Sequence, residues 1–404
     1  NIESGRLGLF YNLHYSNASA FTIANNTFTT QAGAPNNWGI EIASQGSAVS
    51  AIFSGNSISG AFIGVDYWNC TTTGDLTLTG GSINNCSIGV RVDNYDGYSS
   101  DGGSTLGKIS GVTIQNSLVA GLYVKDNPLN TNSATVTANI LAGTVFSGNP
   151  VDVLIDGPDA STASEITGIT WKFINTGSAN PIQYGINMMN PGNILLVDEG
   201  TYNESPIINK SLTLKSVSGR DLTTIKNQPT NYTGSIEIRA DNITIDGFSF
   251  EGYDGTASLL ASTNVAIIDG DNAVIKNCQF KVGKMDAVNN TGDDGFGFVS
   301  YYNDISDICN HLEVTNCVFE PFSTEGQRAF YINPGVGDFI FTNNTINGNF
   351  VGRAITQAKN STIQGNIING TGTSSGIGTW GYPDPTIFGH ATISNNTIMN
   401  TIGA

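Results

Sequence analysis

A short pattern recurs along the chain: an apolar residue, a polar stretch containing Asn or Gly, and a second apolar residue five positions on. It reads Ile23-Ala24-Asn25-Asn26-Thr27-Phe28, then Phe53-Ser54-Gly55-Asn56-Ser57-Ile58. Later copies are Ile275 to Phe280, Val314 to Phe319, Phe341 to Ile346, Ile363 to Ile368 and Ile393 to Ile398. Weaker copies start at Leu78, Ile109, Leu141, Ile166, Leu214 and Ile245. The intervals between starts are 30, 25, 31, 32, 25, 48, 31, 30, 39, 27, 22 and 30 residues. Each copy is too short for a helix and is filled with β-branched and aromatic residues, so it predicts strand, turn, strand. One such unit cannot bury its apolar side alone, whereas stacked coils bury a continuous core. Asn suits the left-handed backbone of a tight bend, and stacked Asn side chains can hydrogen-bond along the pile.

A further strand follows each copy, usually after a Gly: Gly64-Val65-Asp66-Tyr67-Trp68, Gly89-Val90-Arg91-Val92-Asp93 and Gly121-Leu122-Tyr123-Val124-Lys125. Alternation puts Val65, Val90 and Leu122 inside and Asp66, Arg91 and Tyr123 outside. The expected fold is all-β, a right-handed parallel β-helix, with handedness from the usual crossover preference. Aligning these strands gathers Asp66 and Trp68, Arg91 and Asp93, Tyr123 and Lys125, and Leu154 and Asp156 on one outward face. That face reads either as a polysaccharide groove or as a solvated surface of interleaved charges.

The Asn-punctuated coils resemble the pectate-lyase-like β-helix superfamily, including its carbohydrate-binding and sugar-hydrolase type repeats. The sharper match runs from Ile182-Gln183-Tyr184-Gly185-Ile186-Asn187 through Asn190-Pro191-Gly192-Asn193 to Ile194-Leu195-Leu196-Val197. With Gly200-Thr201-Tyr202-Asn203-Glu204 and Ser211-Leu212-Thr213-Leu214, it resembles the opening of such a solenoid: cap helix, first strand, first coil. Because this opening falls in the 48-residue interval, two tandem segments are expected. Residues 1–177 would be the last coils of one β-helix, and residues 178–404 a second one beginning with the cap helix. The resemblance implies that acids able to hold Ca²⁺, a base for proton abstraction and aromatic rings for sugar stacking would mark a uronate lyase. Gly335 to Phe341, around Asp338, looks like the nucleophile stretch of pectin methylesterases, but the Gln-Asp pair and Arg-Pro-Trp element of that family are missing.

Composition narrows the partners. Lys plus Arg number 16 and Asp plus Glu 33, giving 16 − 33 = −17, which disfavours nucleic acid and anionic membranes. Charged residues are only 12% of the chain, so polarity rests on Asn, Ser, Thr and 49 glycines. No apolar run approaches the ~18 residues of a membrane-spanning helix, and no membrane insertion is expected. The sequence opens without an initiator Met or a signal segment, so a processed or excised piece is expected. Of thirteen Asn-x-Ser/Thr sequons, Asn17, Asn203, Asn231, Asn289 and Asn369 are the candidates for glycosylation.

The five cysteines are too few for a disulfide scaffold and show no zinc spacing. Cys278 and Cys317 share one repeat position and should stack ~5 Å apart, either as a disulfide or as two small buried thiols. His14, His311 and His390 are scattered, and no metal site or catalytic set is assigned. Ca²⁺ is the one cofactor kept open, on the outward acids or near Asp293, Asp294, Asp304 and Asp307, whose spacing departs from an EF-hand. The ragged coil lengths speak against an ice-binding array. The expectation is a non-catalytic structural or adhesive module of a secreted or cell-surface protein, such as a surface layer, sheath, filament or adhesin. It would associate with itself or with neighbouring β-helical domains. The rival is a carbohydrate-active enzyme or binding module using the Asp66–Lys125 face.

Overall fold

Most repeat copies bend at their third residue, where the backbone enters the left-handed region. In the computed structural model, Asn25, Gly55, Gly80 and Gly111, then Gly247, Asn277, Asn316, Asn343, Gly365 and Asn395, all have φ between 55° and 85°. Gly reaches this region without a Cβ clash, and Asn tolerates it better than other residues. The structure describes residues 2–4, 7–12, 21–30, 37–43, 50–68, 70, 75–94, 104–128, 134–226, 234–252, 263–283, 296–300, 309–321, 328–332, 335–348, 350, 354–370, 376–379 and 390–400.

The chain is all-β and forms a right-handed parallel β-helix. It divides into two compact units, one of residues 1–181 with 188–193, the other of residues 182–187 with 194–404. In the first unit, a coil runs through three sheets, for example Ser50–Ser54, Ser57–Ser59 and Ile63–Trp68. In the second, an equivalent coil is Ala273–Lys276, Gln279–Val282 and Phe296–Ser300. Strands pair in parallel with the copy above and below, so Ile23 lies beside Phe53, Phe53 beside Leu78, and Leu78 beside Ile109. In the second unit the repeat copies form a column of their own, in a different sheet, running Leu214, Ile245, Ile275, Val314, Phe341, Ile363 and Ile393.

Two of the weaker copies are corrected. Ile140, not Leu141, stacks on Ile109, because the bend before Phe146 holds one extra residue. A one-residue slip exchanges the faces of a strand, and accordingly Ile140 is fully buried while Leu141 is not. Ile166 lies beyond Ala160–Ser164, the strand whose Ser164 is the true neighbour of Ile140.

Stacked apolar columns fill the interior. In the second unit Phe250, Phe280, Phe298, Phe319, Phe330 and Phe341 are buried, and the rings of Phe280 and Phe319 stack at 4.4 Å. Glycine before the third strand is a packing requirement. A Cβ on Gly64 would lie 2.5 Å from the Gly89 carbonyl oxygen, so successive coils approach too closely there for a side chain.

Beside the bends the buried polar groups are satisfied by a ladder. Asn344 and Asn366 are each 1% exposed. The Asn344 main-chain N–H donates to Asn366 Oδ1 at 2.8 Å, and the Asn366 N–H donates to Asn396 Oδ1 at 2.9 Å. Their Nδ2 groups donate to the carbonyls of Val314 and Phe341. Asn26 and Asn56 repeat the device in the first unit. On the outward side of the second strands in the second unit, alternating charges run coil to coil as Lys226, Glu251, Lys281 and Glu320, with Lys226 Nζ 2.6 Å from Glu251 Oε1.

The one helix among the described residues is Pro181–Met188. Pro181 suits the first turn, where its missing N–H costs nothing. The Glu204 carboxylate accepts the N–H groups of Ile182 (2.9 Å) and Gln183 (3.0 Å), capping donors that the helix itself leaves unpaired. Burial raises the Glu204 carboxyl above its ordinary value, and the two N–H bonds only partly counter that.

Two expectations follow from these contacts. Asn366→Ala leaves the Asn344 N–H without an acceptor and should cost about 2–3 kcal/mol, read as a lower denaturant midpoint. Because the folded Glu204 binds its proton more readily than the unfolded one, stability should fall as pH rises from about 4.5 through the raised folded value. Glu204→Gln should remove that slope, which denaturation at several pH values would register.

Candidate functional site

The outward side of the third strands in the first unit carries the only set of charged and aromatic residues anticipated as a site, and the coil register aligns it in two rows. One row is Glu41, Asp66, Arg91, Tyr123, Leu154 and Lys172. The other is Trp68, Asp93, Lys125 and Asp156. Inward neighbours Val65, Tyr67, Val90 and Leu122 are completely buried, which holds the strands rigid beneath the face. Glu41 and Lys172 escaped the sequence reading, although Gly39-Ile40-Glu41-Ile42 and Trp171-Lys172-Phe173 alternate in the same way.

Outward does not mean exposed here. Asp66, Asp93 and Asp156 are only 1%, 3% and 9% accessible, so the acids of this face are not the solvated, interleaved charges of the second reading. Their short side chains end close to the sheet, and longer side chains from adjacent coils close over them. Arg91 meets Asp66 in a two-bonded fork, Nε to Oδ1 at 2.9 Å and Nη2 to Oδ2 at 2.6 Å, and its Nε lies 3.9 Å from Asp93 Oδ2. Burial by itself would lower the Arg91 guanidinium, but Asp66, then Asp93 and Glu41, carry it above its ordinary value. Arg91 is therefore held as a cation by Asp66.

The second cluster is built on Asp156. Tyr123 donates its hydroxyl to Asp156 Oδ2 at 2.5 Å, and Asn175 Nδ2 donates to Oδ1 at 2.8 Å. Burial, followed by the hydrogen bond and charge of Asp156, pushes the Tyr123 phenol up, so it remains a neutral donor. Asn175, at φ 52°, was missed because it lies on the bend that leaves the following strand.

Two of the acids kept open for Ca²⁺ are already engaged by protein donors. Both oxygens of Asp66 are engaged by Arg91, and both of Asp156 by Tyr123 and Asn175. Among the described residues no three His, Cys, Asp or Glu side chains gather to hold a metal. What remains accessible is an upper layer: the edge of Arg91, with Trp68, Tyr123, Lys125 and Lys172 partly exposed. Residues 1–181 contain five cations, Arg6, Arg91, Lys108, Lys125 and Lys172, and three of them stand on this face.

The other anticipated positions are separate. Asp338 is exposed, with Asn360 Nδ2 donating to its Oδ1 at 2.8 Å, and its register neighbours are His311 and Asn360. Asn203 is exposed and Asn369 half-buried, whereas Asn17, Asn231 and Asn289 lie outside the described residues, as do Asp293, Asp294, Asp304 and Asp307. All five cysteines are buried free thiols, so Cys278 and Cys317 stand as stacked thiols without a bond between them. No helix among the described residues is long and apolar enough to cross a membrane.

Removing Arg91 would leave the buried Asp66 carboxylate uncompensated. Arg91→Ala should therefore lower stability by about 3 kcal/mol, the low end for a broken buried pair because the outer edge of Arg91 still meets water. Adding Asp66→Asn should recover part of that loss, and a double-mutant cycle on denaturation midpoints would measure it.

No protein-family model and no curated protein matches the sequence. Among solved structures, the chain is similar to a mutant of the PL6 family alginate lyase AlyGC, with 13% sequence identity and a TM-score of 0.37, over 94% of this chain and 77% of that one.

Proposed function

We propose that the chain is a non-catalytic, adhesive β-helical module that contacts polysaccharide outside the cell or at its surface, through the outward face around Arg91. The observation that carries this reading is the layering of that face. Acids lie buried next to the sheet while Trp68, Tyr123, Lys125 and Lys172 form the accessible level above them. Aromatic rings offer flat apolar contact to sugar rings, and ammonium and guanidinium groups offer donors to hydroxyls or carboxylates. Coils stack at about 4.8 Å, so side chains repeat along the face on the scale of a sugar residue. The groups that would have to do chemistry are already committed to one another: Arg91 is held as a cation by Asp66, and Tyr123 donates to Asp156. That supports binding without turnover.

The surrounding charge is strongly negative, so acidic glycans are favoured only through this local cationic layer, and added salt should weaken them. Affinity electrophoresis in gels containing polygalacturonate, alginate or a neutral glucan provides the test. Retardation by at least one polymer is expected, with Trp68→Ala weakening it about three- to tenfold, equivalent to ~0.7–1.4 kcal/mol. Equal mobility of wild type and Trp68→Ala in every gel would remove the binding reading. Formation of unsaturated sugar products, lost in Arg91→Ala, would replace it with a lyase.

A further inference from the structure

From the bend at Asn277 onward in the second unit, the residue after the left-handed bend of each repeat copy belongs to one internal column: Cys278, Cys317, Asn344, Asn366 and Asn396. From Asn344 onward each side-chain carbonyl takes the N–H of the preceding coil, beginning with Cys317 N to Asn344 Oδ1 at 2.8 Å. One coil earlier the acceptor is sulfur, with Cys278 N 3.4 Å from Cys317 Sγ. A thiol is a weak acceptor, so the polar bracket between coils is poorest there. Both thiols are buried, at 0% and 1% exposure, and their own S–H groups turn to the carbonyls of Lys276 and Thr315.

A third coil grips the same two corners. Arg220 Nη1 donates to the Cys278 carbonyl at 3.2 Å and to the Asn316 carbonyl at 2.9 Å. The neighbouring residues Gln279 and Val318 are register partners, so Cys278 and Cys317 sit about one strand spacing apart, ~4.8 Å between Cα atoms. This lies inside the span of about 4.4–6.8 Å that a disulfide bridges. Cys309, by contrast, has Val336 as its register neighbour.

We infer that Cys278 and Cys317 are a cross-linking site: they form a coil-to-coil disulfide as the chain folds in the presence of a small-molecule disulfide such as oxidised glutathione. One cysteine thiolate attacks oxidised glutathione and displaces a glutathione thiolate, which takes up the proton. The second thiolate then attacks the protein-bound sulfur and releases the second glutathione. Two protein S–H bonds and one glutathione S–S bond are lost; one protein S–S bond and two glutathione S–H bonds are made. Two electrons pass from the cysteines to the oxidant. In the folded corner, burial and then the adjacent Cys278 thiol push the Cys317 thiol well up, which makes it a poor nucleophile. The bond therefore forms before the corner closes, and closure then shields it from reductants. It adds a covalent link where the rung of the Asn ladder is a weak N–H to sulfur contact.

The test uses the full chain, unfolded in reductant and refolded in glutathione buffers of graded reduced-to-oxidised ratio. Recovery of the fold is verified by protease resistance, free thiols are alkylated, and the digest is mapped by mass spectrometry without reduction. The expected product joins Cys278 to Cys317, with Cys70, Cys86 and Cys309 alkylated. Arg220→Gln should require a more oxidising ratio for half-conversion, because the two corners are no longer held together. Reductant should lower the melting temperature of the oxidised wild type and leave Cys317→Ser or Cys278→Ala unmoved. Refolded protein with both cysteines alkylated at every ratio would overturn the inference, as would cross-links spread without preference over all five cysteines.

Discussion

The left-handed bend at one corner of most described coils is the constraint from which the rest of the structure follows. A bend made by Gly or Asn at φ near 60° turns the chain within a few residues, so the apolar residues on either side enter the interior at a constant separation. Parallel pairing then repeats that geometry coil after coil. The bend also strands backbone groups where water cannot reach them, and the following Asn side chains supply the partners, as between Asn344, Asn366 and Asn396. Register, core packing and polar satisfaction are thus one solution. Changing the bend by a single residue shows it: the longer bend before Phe146 moves the buried column from Leu141 to Ile140.

Stacking has a second consequence, at the surface. Residues some 18 to 32 positions apart become neighbours in a row, so a chain with few charges can concentrate those it has. Arg91 reaches Asp66 on the coil before it, and Tyr123 reaches Asp156 on the coil after it. Side-chain length sorts the face into levels. Aspartate ends close to the sheet; arginine, lysine, tyrosine and tryptophan extend past it. A chain with a formal charge of −17 can therefore present a locally cationic and aromatic layer, with its acids acting as anchors beneath. On the proposed reading the layer serves recognition, with Arg91 held by Asp66 and Tyr123 bonded to Asp156 beneath it.

Much of the fold was legible because its signals are local. Left-handed Asn and Gly, β-branched alternation and near-constant spacing together identified the coils, and the register of Val65, Val90 and Leu122 with their outward neighbours follows from counting residues. The reading slipped where the bend carried an extra residue, at Leu141, and where the sheet pattern changed, at Ile166, because a fixed five-residue spacing has no means of registering either. The candidate face was legible as a set of positions. Lys172 and Asn175 were missed because they lie outside the Gly-led strand-opening pattern used to find it, whereas Gly39-Ile40-Glu41 fits that pattern and was overlooked.

The sequence by itself determined the all-β solenoid, its coil period and the direction in which each strand residue points, since all three depend on backbone preference and side-chain alternation over a few residues. Only the tertiary structure decided how deeply each outward residue lies. Alternation assigns Asp66 to the outer face, yet whether water reaches it depends on Arg91 25 residues away and on the coils to either side. The same holds for Cys278 and Cys317. Their shared repeat position follows from spacing, but the Asn ladder they interrupt and the Arg220 grip above them arise from contacts 39 to 96 residues apart. Coverage and charge pairing are properties of neighbours, and in a solenoid the neighbours are one coil away.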